Sequence, residues 1–252
     1  MVKLFLSIWL LWLPPACGSS SLGQQGTSPP SHALFDKLLQ KHVSEAGSVD
    51  YAGFRADRAQ LEEYLALLSE QAPDRQTWSE AEQLAYWINA YNAFTVKLII
   101  DHYPVKSIRD IGPKLSIPLV QTVWHLEFFE IGGQKASLDE IEHAILRKEF
   151  EEPRIHFAIN CASISCPALA REAYTADRLE EQLEQAARRF INDPTRNRIQ
   201  SRRVEISEIF SWFKGDFTKS GSLIDFLNRY ADVKIHSDAR IGYLPYDWNL
   251  NE

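Results

Sequence analysis

The chain has 252 residues, of which 45% are hydrophobic, 12% aromatic and 24% charged, with 11 Gly and 12 Pro. This composition suits one large globular domain and excludes disordered, collagen-like and linker-dominated chains. A formal net charge of −7 argues against general attraction to nucleic acid.

Lys3 precedes an apolar run from Leu4 to Leu13, interrupted only by Ser7 and broken by Pro14 and Pro15. The run is too short to span a bilayer, which takes roughly 20 residues, and has the layout of a secretory signal peptide. Residues 1–17 are therefore expected to direct export to the periplasm or cell envelope. Two processing routes are open. Leu13-Pro14-Pro15-Ala16-Cys17 resembles a bacterial lipoprotein box, and lipidation of Cys17 would attach the chain to a membrane. The apolar residue stands four positions before the cysteine instead of three, and cleavage after Gly18 is the alternative. Residues 18–32, rich in Ser, Gly, Gln and Pro, read as a flexible linker, with a single domain over 33–252.

A helical pattern begins near Ala33, with Leu34, Phe35, Leu38, Leu39 and Val43 on one face. A second covers about 56–71. Ser79 and Glu82 have capping-box spacing ahead of a helix expected over 80–102, which Tyr103-Pro104 ends. Residues 105–121 look irregular. Residues 123–131 read as a strand followed by a Gly132-Gly133 turn. Ser137 and Glu140 open a helix to about Glu149, and 154–159 reads as a short buried strand after Pro153. A helix over about 177–191 follows. Residues 197–206 alternate weakly like an edge strand, and helical pieces lie near 208–217 and 222–230 before an extended C-terminus. The sum is an α+β fold: a helix-rich domain packed on a small, mostly antiparallel sheet.

Three segments carry chemistry-bearing residues. The first runs from His156 through Asn160 and Cys161 to Cys166 and Pro167. A cysteine near a histidine can form an activated thiolate nucleophile. A strand over 154–159 would put His156 and Cys161 on opposite faces, roughly 16 Å apart at ~3.3 Å per residue. Cys17 is consumed by either processing route, leaving Cys161 and Cys166 five positions apart. In an oxidising compartment they could form a disulfide; a free Cys161 nucleophile and a thiol metal site are the alternatives. His156 suits either general acid/base work or a hydrogen-bonded core.

The second segment is Ile141-Glu142-His143. Glu142 flanks the apolar stripe of Leu138, Ile141 and Ile145, and a partly buried carboxylate gains proton affinity. The plainer reading is a surface glutamate paired with Arg147 or Arg154. Adjacent residues of an α-helix diverge by about 100°, so Glu142 and His143 should not face one point squarely. The third segment is Tyr86 to Phe94, where Asn89 and Asn92 sit amid aromatic neighbours. Buried amides must be hydrogen-bonded, so these either brace a loop backbone or contact a substrate. The arginines from Arg188 to Arg203 could meet an anion or lipid headgroups, or belong to a solvated helix end and hairpin. No phosphate loop, dinucleotide turn, Gly-x-Ser-x-Gly or His-Glu-x-x-His occurs, and no cofactor or metal is expected.

Four motifs in order resemble the DUF547 family, a domain of unknown function. They are Trp87-Ile88-Asn89 with Tyr91-Asn92, Ile141-Glu142-His143 with Leu146-Arg147, the His156–Pro167 cluster, and Tyr246-Asp247-Trp248 with Leu250-Asn251. The resemblance covers roughly residues 80–250. Ala162 stands where the family often has Gly. The resemblance implies no assigned activity. It implies export, since bacterial members are often exported, and it favours His156 over the cysteines, since plant relatives commonly keep the histidine and lose the thiols.

The leading functional expectation is a cofactor-free hydrolase or transferase with a polar cleft. His156, Glu142 and Cys161 would be catalytic, and Asn89, Asn92, Asn160 and His143 would bind substrate. The substrate would be a small molecule or an envelope peptide or glycan. The alternative is a non-catalytic envelope binding or scaffold module whose polar residues satisfy one another.

Overall fold

The computed structural model describes residues 28–112 and 122–252. The expected signal peptide, Cys17 and most of the linker lie outside the described residues. Among the described residues, no helix is long and apolar enough to cross a membrane.

Helix α1 (Ala33–His42) packs on α2 (Tyr51–Ala56) and α3 (Arg58–Glu70), and these two pack against α4 (Glu80–His102). Ser79 caps α4 as its spacing predicts: the hydroxyl accepts from Glu82 N–H and the Glu82 carboxylate accepts from Ser79 N–H. α4 is buried almost all round from Leu84 to Ile100, so it is the axis of the larger apolar core. A 3₁₀ turn (Ile108–Asp110) follows.

The strand expected over 123–131 is shorter. Val123–His125 is a 3₁₀ turn, and only β1 (Phe129–Ile131) pairs, antiparallel, with β2 (Gln134–Ala136). Gly132 and Gly133 supply the turn with φ of 59° and 74°, a region open to glycine at little cost. The next helix starts where Ser137 accepts from Glu140 N–H, but Glu140–Leu146 is wound as a π-helix before α5 (Arg147–Glu149).

The strand expected over 154–159 is instead a single helical turn, α6 (Ile155–Ala158). Pro153 begins it rather than bounding a strand: Phe157 N–H bonds to Arg154 O and Ile159 N–H to Ile155 O. A four-residue apolar run does not distinguish the two states, because both bury it. The helical choice lets α6 serve two cores. Ile155 and Ala158 enter the larger cluster, whereas Phe157 enters a second with Phe190, Phe210, Phe217 and Phe226. Burying one such ring is worth roughly 1.5–3 kcal/mol.

α7 (Leu179–Ile191) buries Leu179, Leu183, Ala187 and Phe190, as its periodicity requires. The single edge strand expected over 197–206 is a hairpin of β3 (Arg198–Ile199) and β4 (Arg203–Ser207). β4 lies in the middle of its sheet, antiparallel to β3 and parallel to β5 (Arg240–Leu244). Between β4 and β5 come α8 (Ile209–Trp212), α9 (Lys214–Phe217) and α10 (Leu223–Tyr230). Helices thus dominate two small sheets in an α+β fold.

Candidate functional site

Beyond β5 the chain stays extended and runs beside the 161–167 loop. Ile164 N–H bonds to Asn249 O, Ser165 N–H to Asp247 O, and Asp247 N–H to the Ser165 hydroxyl. This pairing carries Tyr246 and Trp248 to the thiols. With the π-helix and α8 they enclose a hollow of ≈ 300 Å³. Trp124, Trp212, Phe213, Tyr246 and Trp248 form its aromatic wall; Tyr91, Glu142, His156 and Cys161 lie among its polar groups, with His125, Asp139 and His143.

The π-helix explains how Glu142 and His143 share this hollow, contrary to the α-helical expectation. Arg147 N–H reaches back five residues to Glu142 O, and this wider winding turns neighbouring side chains less far apart. Glu142 is paired with neither Arg147 nor Arg154. Its Oε2 accepts from the Tyr91 hydroxyl at 3.2 Å, while Arg147 binds Asp216 and Arg154 binds Glu152 and Glu180. Burial pushes the Glu142 carboxyl up to about 7, with the nearby Cys161 charge adding to the rise and the Tyr91 bond opposing it.

Cys161 and Cys166 are free thiols, so the expected disulfide is not formed. Their sulfurs are 3.0 Å apart, well beyond the covalent length of about 2.05 Å. Cys166 Sγ accepts Cys161 N–H at 2.9 Å, directs its own S–H at Ile159 O at 3.9 Å, and faces the Cys161 Sγ at 3.0 Å. Ser163 Oγ at 3.2 Å and the Tyr246 hydroxyl at 3.4 Å also contact that sulfur. The hydrogen bond with Cys166, then those with Ser163 and Tyr246, bring the Cys161 thiol down to about 7 against the opposing effect of burial. Cys166 goes the other way: burial first, and then its neighbour, push it well above the ordinary thiol range.

His156 is 2% exposed, and its carboxylate partner is Asp216, not Glu142. Nε2 lies 2.8 Å from Asp216 Oδ2, which also takes the Arg147 Nε at 2.7 Å. The ring stacks on Phe213 at 4.0 Å, and its Nδ1 has no hydrogen-bond partner. Burial lowers the imidazole's proton affinity more than Asp216 raises it. Burial would raise the Asp216 carboxyl, but the bonds from His156 and Arg147 hold it well below the usual range. The pair is therefore a neutral imidazole donating Nε2–H to an ionised carboxylate, with Nδ1 left as an acceptor. His143 is more open; its Nδ1 takes Arg147 at 3.0 Å, and burial lowers its proton affinity too.

The three asparagines expected to bind substrate do not line the hollow. Asn89 donates to Tyr174 O and accepts Tyr174 N–H. Asn92 donates to Ala158 O and accepts Asn160 N–H; Asn160 donates to Pro167 O and accepts Ala162 N–H. All three are buried, and each amide is used as donor and acceptor: Asn92 and Asn160 brace the loop that carries Cys161, and Asn89 braces the segment around Tyr174. Among the arginines, Arg196 clamps the thiol loop through Ile164 O and Cys166 O, and Arg188 pairs with Glu184. Among the described residues, no group of three or more His, Cys, Asp or Glu is arranged to hold a metal ion.

Residues 75–191 match the family described as Protein of unknown function, DUF547. That segment is similar to the DUF547 family. It contains α4, the π-helix, α6 and the thiol loop, and thus Glu142, His156 and Cys161. No curated protein and no solved structure matches the chain. Much of the aromatic wall lies outside the DUF547 segment, in Trp212, Phe213, Tyr246 and Trp248. Sequence reasoning missed Asp216, Asp139, His125 and the wall tryptophans as site residues. Asp216 stands 60 positions from His156, and no local pattern joins them; Tyr246 and Trp248 lay in a noted motif that gave no hint of their role.

Proposed function

We propose that the protein is an acyl hydrolase or transferase that works through a covalent thioester on Cys161. The observation that carries this reading is the Cys161 sulfur, in a partly buried residue lining an aromatic-walled hollow and contacted by one thiol and two hydroxyls. Glu142 lines the same hollow with a proton affinity matched to that thiol, a pairing suited to proton exchange near neutral pH. The Cys161 thiolate attacks the carbonyl carbon of an ester, thioester or amide, and the C–S bond forms as the carbonyl pair moves to oxygen. The Tyr246 hydroxyl is placed to donate to that oxygen. The leaving group departs with the proton of protonated Glu142. Water, or an acceptor nucleophile, then gives its proton to Glu142 and attacks the thioester, releasing Cys161. His156, expected to be the base, lies beneath Phe213 and acts as a neutral acceptor at the floor.

The same reading places the protein in the cell envelope, exported by residues 1–17, with Cys17 as the point of membrane attachment. Lys3, the Leu4–Leu13 run and the polar 18–32 stretch support it. The acyl donor is then a small molecule or an envelope peptide or glycan. The test is intact-mass analysis after exposure to a panel of p-nitrophenyl esters and thioesters. We expect an acyl adduct on Cys161 that Cys161→Ala lacks and that persists longer in Glu142→Gln. Full turnover in Cys161→Ala would overturn the proposal.

A further inference from the structure

Two carboxylates line the hollow and receive little from the donors around them. The Asp139 carboxylate makes no hydrogen bond among the described residues; its nearest cationic-type neighbours are His125 Nε2 at 3.5 Å and His143 Nε2 at 3.6 Å. Glu142 receives one hydroxyl, at 3.2 Å. His156 Nδ1, in a ring that is 2% exposed, receives nothing. A ligand that supplies N–H groups to Asp139 and Glu142 gains charge-assisted hydrogen bonds that the surrounding side chains do not provide.

The wall points the same way. Trp212 and Trp248 lie nearly parallel, 18° apart with centroids at 5.7 Å, too close to sandwich a ligand between them. They form one platform with Tyr246, 4.5 Å from Trp248, and Trp212 is 47% exposed at its edge. Electron-rich ring faces attract cations. The platform already draws one from this chain, Arg109 over Trp248 at 5.2 Å, and the neighbouring wall ring Phe213 draws Arg147 at 4.9 Å. Yet neither lines the hollow, and among the described residues no lysine or arginine does.

Building on the acyl-transfer reading, we propose that the substrate presents a protonated primary amine or guanidinium to this hollow, held by Asp139 and Glu142 against the Trp212–Trp248 platform. The acyl compounds processed at Cys161 are accordingly cationic ones, such as those built on lysine-, arginine- or polyamine-like groups.

The test uses the full chain as Cys161→Ala, so that binding is read without reaction, with calorimetric titration of benzylamine, benzyl alcohol and benzyltrimethylammonium at pH 7.5. Benzylamine should bind at least tenfold tighter than the neutral alcohol, and tighter than the quaternary ion, which brings charge but no N–H. Asp139→Asn should erase the preference for amine over alcohol while thermal melting shows the variant folded. Trp212→Ala, altering an exposed ring, should weaken the amine severalfold and serves as the second variant if Asp139→Asn does not fold. Equal binding of amine and alcohol, or an amine preference that survives these substitutions, would overturn the proposal. Amine binding without any acyl adduct in the unsubstituted protein would sink the thioester reaction and leave the cation site standing; an adduct without amine preference would do the reverse.

Discussion

Asn92 on α4 holds the backbone on both sides of Ile159: its Nδ2 donates to Ala158 O at 3.0 Å and its Oδ1 accepts Asn160 N–H at 2.8 Å. One amide thereby fixes the exit of α6 and the approach to Cys161. Truncation would leave two buried backbone groups without partners, each costing about 1–3 kcal/mol. Asn92→Ala should therefore lose about 2–4 kcal/mol in urea unfolding. Its folded fraction should also alkylate Cys161 with an altered pH dependence. A loss below 0.5 kcal/mol would show that the brace is dispensable.

The two thiols should separate sharply in reactivity. Iodoacetamide labelling of Cys161 should rise with pH through a midpoint near 7, while buried Cys166, its proton held tightly, stays unmodified in the native protein. Tyr246→Phe removes one contact to the Cys161 sulfur and should move the midpoint upward. Peptide mapping of the alkylated protein reads both; equal labelling of the two cysteines contradicts the geometry.

Glu142 links stability to pH. Its folded proton affinity is raised to about 7, so between the unfolded carboxyl value and pH 7 the folded state binds more protons than the unfolded state. The associated stability is full below the unfolded value and is lost as pH rises through about 7. Glu142→Gln removes the buried charge, so it should melt higher than the parent at pH 8, with the advantage vanishing by pH 4. Melting curves across that range check the sign, and an advantage confined to acid would refute it.

Asp216 and His156 act in the opposite sense. The carboxyl is depressed in the fold and the imidazole is lowered, so both contribute stability present above their unfolded values and lost as pH falls through the folded ones. His156→Ala opens a void beside Phe213 and Phe217 and removes a donor from Asp216, which keeps Arg147. A loss of about 2–4 kcal/mol is expected from the cavity and the broken bond. Calorimetric melting at pH 7 measures it; an unchanged melting temperature would mean that the ring is not part of the packing.

Ala162 has φ of 60°, in the left-handed region, with its methyl fully buried. Relief of backbone strain in Ala162→Gly is offset by the lost methyl contact, roughly 0.8 kcal/mol, and by glycine's greater unfolded-state entropy. The variant should lie within about 1 kcal/mol of the parent. A β-branched Ala162→Val should lose more than that, because Val tolerates positive φ poorly. Urea titration of the pair orders them, and Val at or above Gly would contradict the strain.

The local grammar of the chain was readable wherever one residue's neighbours decide its state. α4 starts at Ser79 because that hydroxyl and Glu82 cap it, and it stops before Pro104; α7 follows from its apolar stripe. The 155–158 turn was not readable, since four apolar residues satisfy a buried strand and a buried helix equally. The π-winding over 140–146 left no mark in the spacing either, and the faces assigned on an α-helix therefore went astray.

For the site, the sequence by itself determined which residues have the chemistry: the Glu142 carboxyl, the His156 imidazole, the two thiols, and amides too polar to be buried unpaired. Only the tertiary structure decided their partners. It turned Asn89, Asn92 and Asn160 into loop braces, gave His156 to Asp216 across 60 positions, left the thiols unbonded, and walled the hollow with rings from three distant segments. The reason is physical. Hydrogen bonds, desolvation and ring contacts act over a few ångströms of space, and residues far apart in the chain become such neighbours only once two apolar cores have folded around α6.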